Sequence, residues 1–182
     1  MSKPTSNLQI SSPSSYSSII SPEYSTENYL SWIYNTYLFF KRATVTLPDY
    51  SVKNGFLSDI IRDLIKTDRL ERGRVTCFFT VKSSVVNTYG TLHGGAVGVI
   101  AELMAVACAR TVVAKDKDLF LGELSISYLA AAGVNVELEI DGRVARSGRN
   151  VTTTSVDFRI KESRKMVYSA RATFYGTPTS NL

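Results

Sequence analysis

HGGAVGVIAELMAVACARTVV, residues 93–113, decides the fold. From Gly94 to Val113 the run is almost wholly apolar, and its only charges are Glu102 and Arg110. It is rich in alanine, valine, leucine and methionine. It has the length of a helix that is buried all round. A helix of that kind needs a sheet to cover it, so the flanking sequence is read for strands.

Four strand-like runs follow: LFLGELSISYL (119–129), VNVELEIDGRVAR (134–146), VTTTSVDFRIKE (151–162) and KMVYSARATFYG (165–176). The second alternates cleanly at Val134, Val136, Leu138 and Ile140. Their links, AAAG, SGRN and ESRK, have hairpin length. Four strands joined this way predict an antiparallel meander. Upstream, RVTCFFTVKSSVV (74–86) places Val75, Cys77, Phe79 and Val81 on one side of a further strand. FLSDIIRDLIK (56–66) carries Phe56, Leu57, Ile60, Ile61, Leu64 and Ile65 on one helical face. The expected class is α+β, an antiparallel sheet wrapped around one long hydrophobic helix. The folded unit spans residues 50–177, followed by a short tail, 178–182.

Residues 1–25 hold ten serines and three prolines, a composition too poor in apolar surface to fold. Acidic residues are absent before Glu23, as in organelle transit peptides, but arginine is absent too. YLSWIYNTYLFF (29–40) is an aromatic segment too short for a membrane span, and no apolar run reaches span length. Stable membrane insertion is therefore not expected. The net charge is +5, with basic residues scattered, which suits an anionic ligand better than nucleic acid. Cys77 and Cys108 form no CxxC, and a single histidine completes no Cys/His zinc site, so no metal and no cofactor are expected. Two buried thiols in a reducing compartment are the plain reading.

Glu102 poses the functional question, because an isolated carboxylate amid valines is expensive to bury. On a helix, nine residues from His93 turn through about 900°, so the two side chains point to opposite sides, about 13 Å apart along the axis. They are no acid/base pair within one chain. Gly94 and Gly95 sit at the helix start, where N–H groups lack partners and the dipole is positive. Such a donor stabilises a developing oxyanion. Glu102 lies about 12 Å further along. Two copies with antiparallel helices across a two-fold axis would bring Glu102 of one to Gly94 of the other.

Asn87, the GTLHGG run of 90–95, the carboxylate nine positions after the histidine and the SISY strand at 125–128 together resemble the hotdog-fold acyl-CoA thioesterases. The likeness is to the branch of the phenylacetate-pathway and small human enzymes, and it covers roughly residues 55–176. It implies a hotdog fold and hydrolysis of acyl-CoA in a site shared by two subunits of a homodimer or homotetramer. The Gly94 N–H would polarise the thioester carbonyl, and Glu102 would act as nucleophile or general base. Asn87 would place thioester or water, and His93 would support the loop. By the same resemblance the CoA moiety would run along Tyr128 to Gly133 and the hairpin of Arg146, Ser147, Gly148 and Arg149. Arginine forks pair well with phosphate there; Lys165 is a weaker candidate. Solvated turn arginines remain the alternative, as does a plain turn role for Asn87.

The sequence departs from this branch in three places. It carries glutamate where the branch often has aspartate. Leu121 stands where a serine or threonine helps hold the water, unless a shifted strand lets Ser125 or Ser127 serve. The link after Tyr128 lacks the usual proline and lysine. Two other readings stay open, a hotdog enoyl-thioester hydratase or dehydratase and a non-catalytic acyl-CoA binder. The terminal Ser-Asn-Leu resembles a weak form of the peroxisomal address Ser-Lys-Leu, with plastid, mitochondrion or cytosol as alternatives.

Overall fold

The computed structural model describes residues 54–114 and 116–178. The serine-rich start, the aromatic segment 29–40 and the C-terminal tripeptide lie outside these described residues.

Helix α1 (Phe56–Leu64) buries Ile61 completely, and Ile60 and Leu64 lean on the core. It ends two residues earlier than the periodicity predicts, and Leu57 stays about half exposed. Ile65 instead begins strand β1 (Ile65–Glu71), which turns through Arg72 and Gly73 and pairs antiparallel with β2 (Arg74–Thr80). Strand β1 is exposed from Lys66 to Glu71, so it carries no alternation by which it could be read. Strand β2 buries Val75, Cys77 and Phe79 on one side as expected.

Helix α2 (Gly94–Arg110) buries Ala96, Val97, Ile100, Ala101, Met104, Ala105, Cys108 and Ala109. These positions recur at i, i+1, i+4 and i+5, which is a single face. The expectation of a helix buried all round is therefore corrected. Only one side meets the sheet. On the other, Glu102 and Ala107 are exposed, and Val99, Leu103 and Val106 are partly covered. Close approach on the sheet side depends on Gly142, where an added Cβ would lie 2.5 Å from Cys108 Sγ.

Strands β3 (Lys117–Tyr128), β4 (Glu137–Ser147), β5 (Val151–Ile160) and β6 (Met166–Pro178) complete a six-stranded sheet. Its order is β1-β2-β4-β5-β6-β3, and every neighbouring pair is antiparallel. The β4–β5 and β5–β6 hairpins are those the short links predict. The predicted β3–β4 hairpin is not present: β3 pairs with β6 and forms an edge. Residues 129–136 cross the end of the sheet instead. Leu129 and Ala130 donate to the Val167 carbonyl, Leu92 donates to Ala132, and Asn135 donates to Val81. Those bonds carry the chain from beside β6 to beside β2, which no tight turn could do.

Under α2 lie Leu138, Ile140, Val156, Phe158, Ala170, Ala172 and Phe174, all at 2% exposure or less. Burial of each large side chain contributes about 1.5–3 kcal/mol. On the sheet's far face Asp141 is 6% exposed and accepts from Arg74 and Arg143. Burial alone would raise its pKa, but the hydrogen bonds and charges of the two arginines outweigh that and hold it below the usual carboxylate range.

Candidate active site

The loop before α2 is built on Asn87. Its Oδ1 accepts from the Tyr89 and Thr91 N–H groups at 3.0 and 3.2 Å, and its Nδ2 donates to Thr91 Oγ1 at 3.0 Å. The backbone closes the same turn, Asn87 N–H to the Thr91 carbonyl and Gly90 N–H to the Asn87 carbonyl. Gly90 takes φ 72°, a left-handed conformation that suits glycine. The plain turn role of Asn87 is thus occupied, leaving one of its two amide protons uncommitted. The loop is braced from outside, since Thr91 bridges Gly133 and Leu92 donates to Ala132 at 2.8 Å. A Cβ at Gly133 would meet only open space.

His93 caps the helix. It is extended (φ −62°, ψ 132°), and its Nδ1 accepts the Gly95 N–H at 2.9 Å. Its carbonyl accepts the Val97 N–H at 3.0 Å. A ring that accepts at Nδ1 carries its proton on Nε2 when neutral. Two of the first four helical N–H groups are thereby satisfied. Those of Gly94 and Ala96 have no partner among the described residues. Tyr128, the last residue of β3, donates its hydroxyl to the Gly94 carbonyl at 3.0 Å. Its ring stands edge-on to Tyr168, 5.8 Å between centroids, and Tyr168 Oη accepts the Ala132 N–H. Beside the cap, a groove of about 470 Å³ opens between Phe56, Ile60, Val85, His93 and Gly95.

Asn87, His93, Gly94, Tyr128 and Gly133 are therefore one cluster. Glu102 is not in it. It is exposed on the open face of α2, with no hydrogen bond or ion pair among the described residues. Helix geometry puts it about 12 Å along the axis from Gly94.

Leu121 lies on the helix-facing side of β3 opposite Phe174 and offers no polar group. Ile126 approaches Gly98 and Tyr128 approaches Gly94, so Ser125 and Ser127 face away from α2. Neither can replace the missing hydroxyl within this chain, because the register shift falls earlier, between Leu121 and Glu123.

The arginine hairpin sits at the other end. Lys117 donates to the Arg149 carbonyl, Arg110 donates to the Lys117 carbonyl at 2.6 Å, and Ser147 Oγ pairs with Thr152 Oγ1. Arg146, Gly148 and Arg149 are exposed, and Gly148 and Arg149 line a cavity of about 220 Å³ that also touches Lys117 and Val112. A 17-residue helix is about 25 Å long, so this hairpin does not reach the Gly94 of its own chain. Lys165 lies on the β5–β6 turn, where its N–H meets Ser163. No group of three or more metal-ligating side chains occurs among the described residues. Burial pushes the Cys108 thiol up to about 12 and that of Cys77 upward as well.

Residues 89–167, which hold His93, Gly94, Tyr128 and Gly133 of this cluster but not Asn87, match the family model described as Thioesterase superfamily. A Caenorhabditis elegans protein provisionally named an esterase is 33% identical over 107 residues, covering 59% of this chain and 63% of its own length. Human acyl-coenzyme A thioesterase 13 is 25% identical over 132 residues, 64% of this chain and 91% of that protein. Among solved structures, a hypothetical thioesterase of Streptococcus pneumoniae crystallised with coenzyme A aligns with TM-score 0.59 at 24% identity, over 64% of this chain and 88% of that one. The hotdog architecture read from the sequence is the one observed. Two features escaped the sequence reading. The Tyr128–Gly94 bond joins residues 34 apart and leaves no local trace. Thr91 is readable as the partner of Asn87 from their spacing of four.

Proposed function

We propose that the chain hydrolyses acyl-CoA thioesters in a site completed by a second copy. One observation carries the reading: an unpartnered Gly94 N–H at the start of α2, with an unpartnered carboxylate, Glu102, exposed on the same helix beyond its reach. Val99, Leu103 and Val106 around Glu102 give the open face the apolar character that a second antiparallel α2 would cover. In that pairing Glu102 of the partner subunit approaches Gly94. The hairpin of Arg146 and Arg149, remote from Gly94 in its own chain, is carried toward the site of the other, where its guanidiniums meet the CoA phosphates. Two such dimers would make a homotetramer.

The Gly94 N–H holds the thioester oxygen as it gains charge. Water adds to the carbonyl carbon and gives its proton to the Glu102 carboxylate. The C–S bond breaks, and the proton passes to the departing thiolate, leaving acid and CoA. Glu102 as a direct nucleophile reaches the same products through an anhydride that water opens. Asn87 has one amide proton left to orient the ester or the water. The names of the human and streptococcal relatives support this substrate class. A hydratase would need an imidazole that accepts a proton. His93 accepts at Nδ1 already and presents Nε2–H, which favours hydrolysis.

Thiol release from short, long and aromatic acyl-CoAs, run beside Glu102→Ala, tests the reading. Release that the variant loses supports it. Ligand binding without release from any ester would leave a binder, and water addition to enoyl-CoA would leave a hydratase.

A further inference from the structure

Three hydrogen-bonded groups link the last residue of β3 to the only imidazole of the chain. Tyr128 Oη donates to the Gly94 carbonyl at 3.0 Å. That carbonyl and the Gly95 N–H belong to one peptide plane. The Gly95 N–H donates to His93 Nδ1 at 2.9 Å. Each bond polarises the next in the same sense. The Tyr128 ring lies against Gly94, 3.5 Å from where a Cβ would stand, and is held edge-on by buried Tyr168. Tyr168 in turn receives the Ala132 N–H, and Ala132 receives Leu92 next to His93.

We infer that Tyr128 is a positioning residue. By holding the Gly94 carbonyl it fixes Gly94 and so aims its free N–H, which lies in the preceding peptide plane, and through the Gly94–Gly95 plane it fixes His93 with its proton on Nε2. Its hydroxyl is spent on the backbone and so is not primarily a ligand for CoA. This role rests on the thioesterase reading for its catalytic consequence, but not for its structural one. With the hydroxyl committed to the Gly94 carbonyl, its loss is expected to leave the acyl-CoA contacts in place and to spoil the aim of the donor. A change in kcat without a change in KM is the signature.

Tyr128→Phe keeps the ring and removes the hydroxyl. Because the sequence has one histidine, nitrogen-15 NMR of the imidazole reports His93 alone. The wild type is expected to give a proton-bearing Nε2 and a bare Nδ1. In Tyr128→Phe the two nitrogens should move toward the mixed tautomers of free histidine, with kcat two- to tenfold lower, the range of about one lost hydrogen bond, and KM unchanged. An unchanged His93 spectrum in the variant, or an unchanged kcat with a raised KM, would overturn the inference. The second result would make Tyr128 a substrate contact. If the wild type releases no thiol, the thioesterase reading fails while the spectra still decide the relay. If the variant does not fold, a wild-type proton on Nδ1 would by itself refute it.

Discussion

The two faces of α2 are made of the same residue types and do different work. Toward the sheet, Val97, Ile100, Met104 and Ala105 are at most 2% exposed. Away from it, Val99, Leu103 and Val106 are only partly covered and flank an exposed Glu102. The sheet face is fixed by packing within the chain, where every methylene is felt. The open face contributes little to the fold of one chain. A carboxylate persists there at small cost, because water still reaches it. What separates the faces is the partner each one meets.

The largest expected effect comes from the open face. Glu102→Ala should lower turnover by about 10²- to 10⁴-fold, the range for a positioned general base. Thermal unfolding should hardly change, and Glu102→Asp should keep part of the rate. Thiol release measured beside a melting curve checks both halves. Ile100→Ala, two residues away on the sheet face, should do the reverse. It should lose about 2–5 kcal/mol in urea unfolding, with catalysis per folded molecule kept. Gly142→Ala sharpens the contrast from the sheet side. Its Cβ would lie 2.5 Å from Cys108 Sγ, so overpacking of about 1–3 kcal/mol is expected by the same unfolding measurement.

The smallest effect is expected away from both faces. Asp141→Asn should cost about 1–2 kcal/mol at neutral pH, since its arginine partners are partly solvated. The folded Asp141 pKa is lowered. Its stabilisation is therefore present above the ordinary carboxylate range and is lost as pH falls through the folded value. Wild type and variant should converge in acid. Urea midpoints followed from neutral pH downward check this, and a gap that widens in acid would contradict it.

The hydrophobic run 94–113 made the central helix legible, and alternation made β2, β4 and the hairpins of β5 and β6 legible. Strand β1 was not, because its side chains face solvent and its place is set by backbone pairing with β2. The neighbour of β3 was not legible either. A link of hairpin length also serves to cross the end of a sheet, and only long-range bonds from Val167, Leu92 and Val81 decide between the two. In the site, spacing alone separated Glu102 from Gly94 and assigned the glycine to a helix start. The cap geometry of His93 and the hold of Tyr128 on Gly94 depend on side-chain directions, which spacing does not carry.

In the proposed site Gly94 of one copy works with Glu102 of another. Gly94→Pro removes the relevant N–H and little else. Proline is at home in the first helical position, and His93 before it already has the extended conformation that proline requires. Gly94→Pro and Glu102→Ala should each be inactive alone. Co-expressed in equal amounts, they form mixed dimers in which one site receives both defects and the other receives neither. Thiol release should then return to about a quarter of wild type for random pairing across a two-fold axis. No recovery, with mixed dimers present, would place both groups in sites of a single chain and contradict the account.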